Sequence, residues 1–157
     1  MPLKQSEVLE KLTSSYPNLR VKPGETYYWS PVEKSVYFLE GDSSTEGVWA
    51  LLHETGHSIL EHERYFTDIE LLQMEVEAWD QAQQLARVLE LGKDIDEDHI
   101  QDCLDSYRDW MHKRSLCPDC TLSGIQINSN TYKCVFCHRK WRVSADRFCR
   151  PYRKKTR

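Results

Sequence analysis

Residues 53–57 read His53-Glu54-Thr55-Gly56-His57. Two histidines four positions apart on a helix lie on one side of it and can hold a single metal ion between them. At ~100° per residue the same helix turns Val48, Leu51, Leu52, Thr55, Gly56 and Ile59 toward the interior and sets His53 and His57 together at the edge of that arc. An ion held there sits at a core boundary open to a cleft. Glu54 points about 80° away from the histidine pair, near enough to act on a water beside the ion and too far round to compete as a ligand. That is the position a general base needs. The competing reading is a chance pentapeptide on an amphipathic helix, its histidines merely solvated. His62 falls about 140° from His57 on an unbroken helix, which makes it a poor ligand.

A catalytic zinc takes three protein ligands and keeps one position open. Downstream, Leu71, Leu72, Glu75, Ala78, Trp79, Ala82, Leu85, Ala86 and Leu89 recur at helical spacing, and Glu75 is the only charge among them. A carboxylate on a buried face must be paired or coordinate a cation, because an unpartnered one costs several kcal/mol. Glu77 instead shares a polar face with Glu70, Gln73, Asp80, Gln81 and Gln84. Periodicity therefore selects Glu75 as the third ligand, against the alternative of a core-edge Glu that reaches out to solvent.

The run His53-Glu54-Thr55-Gly56-His57, followed after 17 residues by Glu75-Val76-Glu77-Ala78-Trp79, resembles the HExxH and downstream ExEA pattern of gluzincin metallopeptidases, particularly the ImmA/IrrE type. The resemblance covers roughly residues 26–90. It implies that His53, His57 and Glu75 bind a catalytic zinc, that Glu54 is the catalytic base, and that the substrate is a protein or peptide, with a DNA-bound regulator as the suggested class. It also implies a cleft-edge strand for extended substrate at Ser35–Leu39, which is otherwise a core strand of a hairpin. Many gluzincins carry Asp or Asn four positions after the third ligand to orient a histidine; this chain has Trp79 there. Tyr65 is a candidate oxyanion donor, or else a packing aromatic.

Cys117-Pro118-Asp119-Cys120 and Cys134-Val135-Phe136-Cys137 are separated by 13 residues, the spacing of a four-thiolate zinc site. Between them, Ile125-Gln126-Ile127 and Thr131-Tyr132-Lys133 flank Asn128-Ser129-Asn130 as a hairpin, and Trp141-Arg142-Val143 can add a strand. The segment resembles a zinc ribbon, a closed structural site in a stretch too short to fold unaided. Disulfides are the alternative for these four thiols. Cys103 reads as a small core residue, and Cys149 has no assigned partner.

The net charge of −4 conceals a division. Residues 138–157 hold nine Lys/Arg against Asp146 alone, a net +8, so residues 1–137 carry −12. A basic end of this kind attracts nucleic acid or another polyanion, or is a solvated tail; Trp141 and Tyr152 among the arginines could stack on bases. A cytoplasmic, non-membrane protein follows by default, since the longest apolar runs fall far below the ~20 residues of a membrane span and the N-terminus lacks a secretory pattern.

The chain is thus expected to be α+β. A mainly helical, minimal gluzincin-like domain with a small N-terminal β-hairpin or sheet occupies residues 1–114, a zinc ribbon 115–145 and a basic tail 146–157. Helices are expected at 4–16, 45–62, 67–91 and 95–113, and a hairpin pairs 26–29 with 35–39. The opposed reading is a non-catalytic metallopeptidase-like scaffold whose ribbon and tail bind nucleic acid or protein.

Overall fold

The computed structural model describes residues 3–144 and the backbone of residues 153–156. The fold is α+β. Its elements run α1 (Gln5–Ser15), β1 (Val21–Gly24), β2 (Tyr28–Ser30), β3 (Ser35–Leu39), α2 (Thr45–Ile59), α3 (Asp68–Val88), α4 (Glu97–Ser115), β4 (Ile125–Asn128), β5 (Thr131–Lys133), β6 (Lys140–Val143) and β7 (Arg153–Thr156). They form two compact units, Met1–Arg64 with Met74–Ile100, and Tyr65–Gln73 with Gln101–Arg157. No helix among the described residues is long and apolar enough to cross a membrane.

In the first unit the expected hairpin is present: β2 pairs antiparallel with β3, Trp29 opposite Val36. A further strand, β1, pairs parallel with β3 on its other side, giving the order β1-β3-β2. Its Pro23 and Gly24 hide it from a propensity reading, yet Pro is tolerated on an edge strand. The third strand corrects the expectation for Ser35–Leu39. That strand is central, with neighbours on both sides, and has no free edge for a substrate; β2 lies at the edge of the sheet, and its outward Trp29 N–H is taken by Glu54.

Helix α2 starts where Ser44 accepts a hydrogen bond from the Gly47 amide at 3.0 Å. It buries Val48, Leu51, Leu52, Thr55 and Gly56, as the periodicity demands, while Ile59 is only half-buried. The Thr55 hydroxyl is satisfied by the Leu51 carbonyl at 2.7 Å. The helix stops at Ile59 instead of continuing to 62, because Glu61 adopts a left-handed conformation (φ 54°) and the His62 amide folds back onto the His57 carbonyl at 3.1 Å. A side chain at 61 gives no hint of this conformation, which glycine adopts far more readily.

Helix α3 buries Leu71, Glu75, Ala78, Trp79, Ala82, Leu85 and Ala86 on one face, with Leu72 half-buried beside them and Leu89 buried just past its end. The backbones of α2 and α3 come very close at Gly56, where an added Cβ would lie 2.6 Å from the Ala78 carbonyl oxygen. Helix α4 begins one turn after the Asp94–Arg87 ion pair, with Asp96 accepting from the Asp98 amide at 2.9 Å.

The second unit carries the antiparallel order β4-β5-β6-β7. Its core is Cys117, Tyr132, Cys134, Trp141 and Val143, with the Tyr132 and Trp141 rings stacked 5.8 Å apart. Asp68, at the start of α3, accepts from Arg114 Nε at 2.9 Å and from the Tyr132 hydroxyl. Arg114 also reaches the Ser144 carbonyl, so the buried pair is surrounded by further bonds and not left as a bare charge. Trp141 has no exposed surface and donates its indole N–H to the Arg114 carbonyl at 2.9 Å. This corrects the expectation that it stacks on bases: β6 alternates, with Trp141 and Val143 inside and Lys140 and Arg142 outside. Cys103 is half-buried, short of a full core position. Tyr152, Cys149 and residues 145–152 of the basic tail lie outside the described residues.

Candidate metal centres

His53, His57 and Glu75 converge as the two helical periodicities predict. Each is nearly inaccessible, at 8%, 7% and 4% exposure, and their donor atoms form one cluster. His53 Nε2 lies 3.0 Å from Glu75 Oε2, and His57 Nε2 lies 3.1 Å from Glu75 Oε1. Two donors bound at ~2.0–2.1 Å to one tetrahedral ion stand about 3.3 Å apart, close to these separations. The orientation matters as much as the distance. His53 Nε2 and Glu75 Oε2 are buried and face each other at ion-pair distance, with no well-aligned hydrogen-bond partner among the described residues. Buried polar atoms left in this way are costly unless a proton or a metal cation lies between them. The donor set of two imidazole nitrogens and a carboxylate fits a divalent transition ion.

Without a cation, His53 and Glu75 are strongly perturbed. Burial opposes a proton on His53, but the adjoining Glu54 and Glu75 carboxylates outweigh it and the ring is pushed up to about 9. Burial likewise opposes the charge on Glu75, and the adjoining His53 and His57 rings overcome it, holding the carboxyl far below its ordinary range.

Glu54 is not a ligand. Its Oε2 accepts the backbone N–H of Trp29 in β2 at 2.9 Å, and its Oε1 stands 3.3 Å from His53 Nδ1, the nitrogen away from the ligand cluster. The carboxylate is therefore tied to the sheet edge. Trp79, where an orienting Asp or Asn was expected, stacks on the His53 ring with centroids 4.3 Å apart and planes 21° from parallel. It fixes that ring by its face instead of by a hydrogen bond, and its own buried indole N–H has no partner among the described residues. Tyr65 belongs to the second unit and is 41% exposed.

Two residues that the helical reading set aside take part. The left-handed turn at Glu61 brings His62 round so that its Nδ1 lies 2.9 Å from His57 Nδ1, and its Nε2 is 3.1 Å from Glu77 Oε2. His62 remains outside the ligand cluster, as its number of intervening residues suggested, but for a different reason: it faces the back of His57. Burial, with His57 close by, lowers its pKa.

The second centre is built locally. Cys117, Cys120, Cys134 and Cys137 gather their sulfurs in one cluster, and all four are free thiols. Cys117 Sγ and Cys137 Sγ are 3.6 Å apart, far beyond a disulfide bond and close to the about 3.8 Å expected for two thiolates on a tetrahedral ion with ~2.3 Å bonds. The two Cys-x-x-Cys loops are near copies. In one the Cys120 amide points at Cys117 Sγ (3.4 Å) and the Thr121 amide at the Cys117 carbonyl (2.9 Å). In the other the Cys137 amide points at Cys134 Sγ (3.5 Å) and the His138 amide at the Cys134 carbonyl (3.0 Å). Thr121 and His138 both take positive φ, 60° and 62°, to close these turns.

Amide donors favour thiolate, and the Cys137 amide helps bring Cys134 down to about 7. Hydrogen bonding to Cys137, with burial and the neighbouring thiols, pushes Cys120 up to about 12, since the sulfurs cannot all ionise together without a cation.

The fold and these clusters define an α+β protein with two candidate metal-binding groups. No family model, curated protein or solved structure matches the chain.

Proposed function

We propose that this protein is a zinc-dependent endopeptidase acting on a protein substrate, with a structural zinc ribbon at residues 115–145. The observation that carries the reading is the buried convergence of His53 Nε2 and His57 Nε2 on the Glu75 carboxylate, at 3.0 and 3.1 Å. His53, His57 and Glu75 hold the catalytic zinc, and Cys117, Cys120, Cys134 and Cys137 hold the structural one. A zinc ion held there would supply Lewis-acid polarisation of a carbonyl and lower the pKa of a water.

Glu54 is the base. Its Oε2 is held by the Trp29 amide, and Oε1 keeps lone pairs to take the water's proton and hand it to the leaving amine. That amide belongs to the edge strand β2, so the carboxylate is held at the rim of the sheet. Lys140 and Arg142, exposed on β6, continue into the basic tail and suit a nucleic-acid or acidic protein surface that brings substrate near. A DNA-associated regulator is the substrate class that such a surface suits.

A second reading has an observation in its favour. Glu54 is tied to Trp29 and lies beside the far nitrogen of His53, so its carboxylate also serves as an anchor for that ring, which suits a metal-stabilised, non-catalytic scaffold. Glu54→Gln separates the two. Under the peptidase reading the variant keeps two zinc per chain and loses about 10²–10⁴-fold in cleavage of a denatured protein substrate. Undiminished cleavage with two ions bound would end that assignment, and no cleavage by either form would favour the scaffold.

A further inference from the structure

We propose that His62 and Glu77 are positioning residues that fix the tautomer and orientation of His57 toward the cation. The inference rests on the reading of His53, His57 and Glu75 as a metal site, and begins at the outer end of the chain of contacts. Glu77 is about half exposed and, as a carboxylate, can only accept. The His62 nitrogen facing it at 3.1 Å, Nε2, must therefore carry hydrogen. In a neutral ring that leaves Nδ1 of His62 as an acceptor. It stands 2.9 Å from Nδ1 of His57, which must then be the donor. A neutral His57 is left with its lone pair on Nε2, the atom facing Glu75 Oε1 at 3.1 Å.

One acceptor-only group at the surface thus determines, through two rings, that a lone pair points into the buried cluster. There it meets the Glu75 carboxylate, and either a proton or a metal cation on that nitrogen reconciles them. Imidazole ligands generally donate their second N–H in this way, and losing the acceptor weakens metal binding. Here a histidine takes the place usually held by a carboxylate or carbonyl.

The geometry is held from outside the cluster. Glu61 supplies the left-handed turn that reverses the chain after α2, and Trp29 Nε1 donates to the His62 carbonyl at 2.8 Å, fixing the backbone. The His62 side chain keeps only 10% of its surface exposed, and its ring meets that of His57 at 65° with centroids 5.1 Å apart. The arrangement also accounts for Glu77, which sits on the polar face of α3 and would otherwise be one more solvated charge.

The test is the zinc affinity of the second, weaker equivalent in the full chain, measured by competition with a chromophoric chelator and repeated as the absorption spectrum of the cobalt(II) form. His62→Leu is expected to weaken that equivalent by about 10–100-fold and to alter the cobalt bands of the histidine site. Glu77→Leu is expected to weaken it less, by up to about tenfold, and the double variant no more than His62→Leu alone, because Glu77 acts through His62. His62→Gln and Glu77→Gln, which restore an acceptor, should recover part of the loss. The thiolate-to-cobalt bands of the four-cysteine site should not move in any of them, which reports an intact fold.

Affinities of His62→Leu and Glu77→Leu within twofold of the parent would overturn the relay, as would a loss confined to His62→Leu or losses that multiply in the double variant. A parent chain that takes up only the ion of the cysteine site would instead overturn the metal reading of His53, His57 and Glu75, and the relay with it.

Discussion

The two clusters solve one problem, bringing electron-rich atoms together, by opposite means. The four thiols come from two short loops with the same local hydrogen bonds, each closed by a residue of positive φ, and each loop preorganises its pair of sulfurs before the pairs meet. The histidine cluster has no such local device for its third member. Glu75 reaches His53 and His57 only because α2 and α3 touch backbone to backbone, and its surroundings are richer: a carboxylate tied to a strand, a stacked indole, a second pair of hydrogen-bonded side chains. Four like ligands make a closed site. Three mixed ligands with polar neighbours make one with a donor fewer, assembled across two helices.

The sharpest way to break this comparison is to remove the cysteine site. Cys134 is fully buried, and structural zinc sites contribute on the order of 10–16 kcal/mol to folding in small modules. Cys134→Ser should therefore abolish ordered structure in β4, β5 and β6, seen as collapse of amide NMR dispersion for residues 117–143, while His53 and His57 resonances still respond to zinc. Retained dispersion in the variant would show that the Tyr132–Trp141 core holds the strands without metal.

A smaller effect probes the other site. In Gly56→Ala the new Cβ would stand 2.6 Å from the Ala78 carbonyl oxygen, a backbone atom that cannot swing aside. The helices must separate, which costs about 1–3 kcal/mol of stability and shifts Glu75 from the histidines, so zinc affinity there should fall while the cysteine site is untouched. Zinc titration and thermal unfolding check this, and unchanged affinity would show that α2 and α3 have slack at this crossing.

The mildest test is pH. With the histidine site free of metal, His53 is raised from its unfolded value of about 6.5 to about 9 by Glu54 and Glu75 against the pull of burial. A raised basic group stabilises the fold fully below the unfolded value, and that contribution is lost as pH climbs to about 9. Chains loaded only at the cysteine site should lose thermal stability across this window. Loading the second site displaces the proton, so the decline should flatten. Parallel profiles for the two forms would mean that the ion does not bind through His53.

Much of the architecture was legible because it is written in short-range patterns. The buried faces of α2 and α3 follow from apolar residues at helical spacing, and Glu75 stands out as the lone charge on such a face. The hairpin of β2 and β3 follows from aromatic and β-branched runs on either side of Ser30–Lys34. Three features escaped for identifiable reasons. Strand β1 contains Pro and Gly and pairs across a distance in sequence, so its presence, which makes β3 central, has no local signature. The end of α2 depends on a left-handed glutamate. Trp141, placed between arginines in sequence, lies between them only along the strand, since alternation sends it to the opposite face.

By itself, the sequence determined which donors exist and which helix faces or loops carry them: spacing of three and four along a backbone of fixed geometry leaves little freedom for Cys-x-x-Cys or for two histidines one turn apart. Tertiary structure decided what those donors meet. The closeness of α2 and α3 at Gly56, the capture of Glu54 by the Trp29 amide and the return of His62 onto His57 all depend on contacts between distant segments or on a backbone reversal, and no local periodicity encodes a long-range approach.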